Sequence, residues 1–110
     1  MANAYLAFLD QKADQYGIPR EYARAVMHQE SRGNPNAVSP VGAQGLMQIM
    51  PGTARDLGID PRDPYQNMEG GVRYLAENAK KYGLTGALAD KNGGTGRWEK
   101  AGADLALRPQ

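Results

Sequence analysis

The stretch Tyr22-Ala23-Arg24-Ala25-Val26-Met27-His28-Gln29-Glu30-Ser31-Arg32-Gly33-Asn34-Pro35 carries an apolar stripe, a carboxylate and a sharp stop, in that order. Counting back by fours from Glu30 gives Val26, Tyr22 and Ile18. Residues four apart share a helix face. Glu30 therefore continues the apolar stripe of its own helix. A carboxylate at a helix C-terminus also meets the negative end of the aligned peptide dipoles. Burial and that dipole both disfavour the ionised form and raise the pKa. A general acid working near neutral pH needs that property. The ordinary alternative is a solvated Glu at a frayed helix end, since charged residues are mostly exposed.

Working outward, Pro19 suits the first turn of a helix over about 19–31. Tyr22, Ala23, Val26 and Met27 face inward, while Arg20, Arg24 and Gln29 face out. Upstream, residues 3–16 form an amphipathic helix with Asn3 as N-cap. Tyr5, Phe8, Leu9, Lys12 and Tyr16 share one face, Lys12 being its polar break, and Gly17 is the stop. Downstream, two prolines and two glycines between residues 32 and 44 dictate a long loop. A loop of that length in a small domain is more often functional than idle. Residues 44–50, Gln-Gly-Leu-Met-Gln-Ile-Met, then set one amide, Gln48, in an apolar run. Pro51 opens a short helix that Gly58 ends.

A second loop over 59–66 contains Pro61 and Pro64. Its Asp60 and Asp63, with Glu69, lack the spacing of a calcium loop and read as helix-capping acids. The longest helix is expected over 65–82, with Met68, Val72, Leu75, Ala76 and Ala79 as its stripe and Gly83 as its stop. Gly70-Gly71 inside it costs about 1 kcal/mol per residue relative to Ala, but admits another backbone closely. A short helix over 85–91 and a turn at Asn92-Gly93-Gly94-Thr95-Gly96 follow, ahead of Trp98. The last dozen residues are weakly patterned and expected to be poorly ordered. No internal repeat and no alternating β pattern is present. The expectation is one all-α domain over 1–110, with about six short helices around a small core.

Composition narrows the function. With 13 basic and 12 acidic residues the formal charge is +1, so no basic field points to nucleic acid. No cysteine is present, which removes disulfides and thiolate metal sites, and one histidine cannot form a histidine cluster. No metal and no cofactor is expected. No apolar run approaches the roughly 18 residues that span a bilayer. The N-terminus has neither a basic region nor an apolar one of signal-peptide type.

Glu30, Ser39, Gly42, Gly45, Gln48, Met50, Pro51 and Thr53 fall within one 24-residue span. The runs Glu30-Ser31-Arg32-Gly33-Asn34-Pro35-Asn36-Ala37-Val38-Ser39 and Gly42-Ala43-Gln44-Gly45-Leu46-Met47-Gln48-Ile49-Met50-Pro51-Gly52-Thr53-Ala54 resemble the soluble lytic transglycosylase domain. The likeness extends from Ile18 to about Gly96. It implies a lysozyme-like helical fold around a sugar-binding groove, and cleavage of peptidoglycan glycan strands. It implies that Glu30 is the single catalytic acid and base. Ser39 and Gln48 match groove residues that bind the sugars or hold the site, and Met50 an apolar residue packed in the groove. Asn92 aligns with the Asn of a later Tyr-Asn-Ala-Gly motif. There the chain departs from the family: Lys91 stands where the family has a Tyr whose hydroxyl lies near the catalytic carboxylate.

Glycosidic cleavage ordinarily uses two carboxylates. With Glu30 alone, the resemblance implies substrate assistance: the N-acetyl group of N-acetylmuramic acid attacks its own anomeric carbon, and a 1,6-anhydro sugar forms without water. A hydrolytic lysozyme on the same fold is one alternative and would need a second acid such as Asp63 or Asp90. A non-catalytic glycan-binding or scaffold module is the other, favoured by Lys91 and the early C-terminus. The size, the N-terminus and the altered late motif suggest a phage-borne wall-degrading protein, an endolysin or a virion component. A bacterial secretion-system enzyme is the alternative. Either acts on the cell wall.

Overall fold

The computed structural model describes the backbone of residues 3–91 and the side chains of residues 4–81. Asn92, Trp98 and the weakly patterned last dozen lie outside the described residues. Four helices are present among the described residues: α1 (Asn3–Tyr16), α2 (Arg20–Ser31), α3 (Pro51–Leu57) and α4 (Pro64–Lys91). The all-α expectation holds, but of about six helices expected four are present among the described residues. Part of the difference lies in α4. It is continuous through Gly83, so the expected stop there and the separate helix over 85–91 merge into one element of 28 residues. Glycine permits a left-handed cap without imposing one, and inside a helix it costs only about 1 kcal/mol. Asn3, expected as a cap, is itself the first residue of α1.

Three stops fall where the sequence puts them. Gly17 and Gly58 adopt the left-handed conformation, at φ 73° and 71°, after α1 and α3. At the end of α2 the left-handed residue is Arg32, at φ 54°.

α1 packs against α2 and α4, and α3 against α4. Leu9 and Ala13 of α1 meet Tyr22, Val26 and Met27 of α2 and Met68, Val72 and Leu75 of α4 in one core. Leu46, Met47 and Ile49 enter the same core from the segment between α2 and α3. Gly70 and Gly71 make room for side chains and not for the backbone the sequence predicts. A Cβ on Gly70 would lie 2.5 Å from Ile59 Cδ1, and one on Gly71 2.7 Å from Met47 Cβ and Cγ. Lys12, the polar break of α1, crosses to Glu69 of α4 at 3.1 Å and lies over the Phe8 ring.

Polar groups fix the α1–α2 pair. Arg24 Nε donates to Asp10 Oδ1 at 2.9 Å and its Nη2 to Asp10 Oδ2, while Arg20 holds Asp14 on the next turn. The hydrogen bonds from Arg24, reinforced by its charge, hold the Asp10 carboxyl below the usual carboxylate range, against the opposing effect of burial. A depressed folded-state pKa means the pair stabilises fully above the unfolded value of about 3.9. That contribution is lost as pH falls through the lower folded value. Asp10→Asn is therefore expected to lower the melting temperature at pH 7. The gap to the parent should close as pH falls below about 4. Equal melting temperatures at pH 7 would show that the pair adds nothing.

Candidate functional site

Glu30 occupies the last turn of α2 and is 5 % exposed, which rejects the solvated alternative. Its corner is locked by its neighbour. Ser31 Oγ donates to the Met27 carbonyl at 3.2 Å and accepts the Gly33 N–H at 3.1 Å. The Arg32 N–H closes on the His28 carbonyl at 2.9 Å. Asn34 follows with an Asx turn, its Oδ1 accepting the Asn36 N–H at 2.9 Å. The abrupt turn after Glu30 is thus built from short polar side chains rather than from packing.

The loop that follows contains backbone pairing that its Pro and Gly content conceals. Val38 bridges Gln44, and Gln44 bridges Ile49, both antiparallel. Gln44 and Ile49 exchange two hydrogen bonds, at 3.0 and 2.9 Å. Within this framework Ser39 Oγ accepts the Ala43 N–H at 3.0 Å, closing the 39–43 turn. A hydroxyl that accepts in this way keeps its own proton to donate.

Gln48 sits at φ 52°, in the left-handed region. Its Nε2 donates to the Ala37 carbonyl at 3.0 Å and to the Gly45 carbonyl at 2.9 Å. An amide has two N–H donors, so both are committed to the loop. Gln48 is thereby a brace for the turns on either side of it. Gln48→Ala removes two hydrogen bonds, although the Ala37 carbonyl keeps the Gly45 N–H at 2.8 Å and the Gly45 carbonyl keeps the Gln48 N–H at 3.1 Å. With neither carbonyl orphaned, it is expected to cost about 0.5–1.5 kcal/mol of stability per lost bond. Cleavage per folded molecule should fall as well, because Ser39 lies on the braced loop. Thermal unfolding and an assay corrected for folded fraction separate the two effects.

Met50 keeps 38 % of its surface exposed, an unusual outlay for a methionine next to the core. It is extended, at φ −70° and ψ 147°, and leads directly into Pro51 at the start of α3. Ser39, Gln48 and Met50 therefore belong to one paired loop, and Glu30 precedes it at the locked corner. Asn92 and the Lys91 side chain lie outside the described residues. Two clefts lie among the described residues, and neither is lined by Glu30, Ser39, Gln48 or Met50. One, of about 650 Å³, lies between α3 and α4 and is lined by Thr53, Asp56, Arg73, Tyr74, Glu77 and Asn78 among others. The smaller, of about 320 Å³, lies between Asn36, Val38, Gln44 and Arg62.

The acids of the 59–66 loop have local duties. Asp63 Oδ1 accepts the N–H groups of Tyr65 and Gln66, at 2.8 and 3.2 Å, and so caps α4. Asp60 Oδ1 accepts the Arg62 N–H at 3.0 Å. That contact and the charge of Arg62 hold the Asp60 carboxyl below its ordinary range. Among the described residues no group of three His, Cys, Asp or Glu could hold a metal ion.

Buried polar residues escaped the sequence reading, Asp10, Asn67 and Asn78 among them. Asn67 is fully buried on α4 and binds three backbone groups of the neighbouring loops. Its position one residue before Met68 and four before Gly71 puts it beside the apolar stripe, and an amide there needs partners.

The sequence matches the family model described as the transglycosylase SLT domain over residues 7–106. The chain belongs to that family. It is 46 % identical over 83 residues to the transglycosylase of Enterobacteria phage PRD1, covering 74 % of this chain and 31 % of that protein. Over 37 residues it is 68 % identical to the soluble lytic murein transglycosylase of Escherichia coli (strain K12), covering 34 % and 6 %. The solved complex of the 70-kDa soluble lytic transglycosylase with bulgecin A superposes with a TM-score of 0.72 at 36 % identity. That superposition covers 91 % of this chain and 19 % of the other. The chain thus spans about a third or less of the length of the relatives it matches. Among the described residues no helix is long and apolar enough to cross a membrane.

Proposed function

We propose that this chain is a peptidoglycan lytic transglycosylase that cleaves the β-1,4 bond between N-acetylmuramic acid and N-acetylglucosamine. The observation that carries the reading is the buried carboxyl of Glu30 at a rigid helix corner, followed directly by the Ser39–Met50 loop. Membership of the SLT family supports it.

Glu30, protonated, gives its proton to the glycosidic oxygen as the bond to the anomeric carbon breaks. The carbonyl oxygen of the substrate's N-acetyl group bonds to that carbon and neutralises the developing charge. Glu30, now a carboxylate, takes the proton of the 6-hydroxyl. The 6-oxygen then displaces the N-acetyl oxygen, giving a 1,6-anhydro ring and returning Glu30 to its acid form. One carboxyl suffices, whereas a retaining or inverting glycosidase uses two. Of the two acids a hydrolase could recruit, Asp63 is engaged at the N-terminus of α4, and the Asp90 side chain lies outside the described residues. Ser39 offers a hydroxyl donor to the sugars, and exposed Met50 an apolar surface for a pyranose face. Asn92 completes the set as a sugar-binding amide.

The substrate places the activity at the cell wall, in the periplasm or at the exterior. Similarity to a phage transglycosylase supports a phage-borne protein, an endolysin or a part of a virion assembly. Mass spectrometry of digested cell wall tests the reaction. Anhydro ends are expected; reducing ends would establish a hydrolase, and absence of products a binding module.

A further inference from the structure

Asn67 has no role in the chemistry proposed above, yet all its side-chain hydrogen bonds run to the loops beside the site. Its Oδ1 accepts the Met47 N–H at 2.7 Å. Its Nδ2 donates to the Gln44 carbonyl at 2.8 Å and to the Pro61 carbonyl at 2.9 Å. The Asn67 N–H donates to the Asp63 carbonyl at 2.8 Å, which ties the side chain's own backbone into the first turn of α4.

The turn between Gln44 and Ile49 is thereby seated on α4 at two levels. At Asn67 the seat is made of hydrogen bonds. One helical turn later, at Gly71, it is made of contact with Met47, close enough to exclude a Cβ. The backbone at Gly45 lies so near Asn67 that a Cβ there would be 2.3 Å from Nδ2. Gln48, inside this turn, braces Ala37 and Gly45, and Met50 leaves it toward α3. Displacement of the turn would move the braced loop carrying Ser39 and the exposed face of Met50 together, with Glu30 left at its own corner on α2.

We infer that Asn67 is a positioning residue for the reaction: it registers the Gln44–Met50 turn, and with it Ser39 and Met50, on α4. This inference rests on the proposed transglycosylase activity. Loss of the side chain strips the buried Met47 N–H of its acceptor and the Pro61 carbonyl of its donor, whereas the Gln44 carbonyl keeps the Ile49 N–H. The damage is therefore local to the turn.

The test uses Asn67→Ala and the milder Asn67→Ser, whose hydroxyl can replace one of the three bonds. Amide exchange is measured at Met47 and at Val26 in the middle of α2, and kcat and KM on muropeptide oligomers are corrected for folded fraction. Met47 exchange is expected to accelerate at least about tenfold more than Val26 exchange, since local opening bypasses global unfolding. kcat/KM is expected to fall by about tenfold or more, the scale of a misplaced binding group. Asn67→Ser should fall between the parent and Asn67→Ala in both readouts. Parallel acceleration at Met47 and Val26, or kcat/KM within twofold of the parent, would overturn the inference and leave Asn67 a stabilising residue only. Failure of the parent to release anhydro products would instead reject the proposed activity. The exchange measurement would still decide whether Asn67 holds the turn.

Discussion

Glu30→Gln is expected to abolish release of anhydro-muropeptides while leaving the fold intact. Gln has the shape of Glu but cannot give up a proton to the leaving oxygen or take one from the 6-hydroxyl. Loss of a general acid–base group ordinarily removes about 100- to 10,000-fold of rate. Here one residue is asked to serve in both steps, so the upper part of that range is expected. The fold should survive because Ser31, Arg32 and Asn34 hydrogen-bond the corner and Gln keeps the shape of Glu. Circular dichroism and thermal unfolding check the first point, and mass spectrometry of digested wall the second. Retention of more than about a tenth of the activity, far outside that range, would mean that another group is the acid.

Gly45→Ala is expected to be the most damaging single-methyl change in the loop. Two penalties combine. Gly45 has φ 78°, where a side chain on an L-residue costs about 1–2 kcal/mol. The added Cβ would also lie 2.3 Å from Asn67 Nδ2 and 2.9 Å from the Pro61 carbonyl oxygen. Both atoms are engaged in hydrogen bonds, so neither can yield freely, and overpacking of this kind costs about 1–3 kcal/mol. Gly42 supplies the control. Its φ is 93°, but a Cβ there meets nothing within 4 Å. Gly42→Ala should pay only the backbone penalty. A domain of this size loses about 4–8 °C of melting temperature per kcal/mol. Gly45→Ala should therefore fall by about 10 °C or more and clearly exceed Gly42→Ala. Equal losses at the two glycines would show that the contact with Asn67 is not tight.

Local signals in the sequence determined much of the molecule. The 3.6-residue stripe through Ile18, Tyr22, Val26 and Glu30 put the carboxyl on the inner face of α2, and burial at 5 % exposure agrees. Gly17 and Gly58 ended helices because little but glycine adopts left-handed φ without strain. Each of these features depends on residues a few positions apart, which is the range over which periodicity and capping act.

Tertiary structure alone decided the rest. The partners of Gln48 at Ala37 and Gly45 are visible only once the loop is folded, and they give it the holding role that the sequence left open beside a sugar contact. The capping role read for the acids after residue 59 holds for Asp63, but only the folded chain gives Asp60 to Arg62 and Glu69 to Lys12. Gly83 failed as a stop because glycine allows a helix to end but does not compel it. Asn67 reaches across 23 residues to Gln44 and 20 to Met47. No pattern within a helix encodes contacts of that span, since closing such a loop depends on the whole core forming around it.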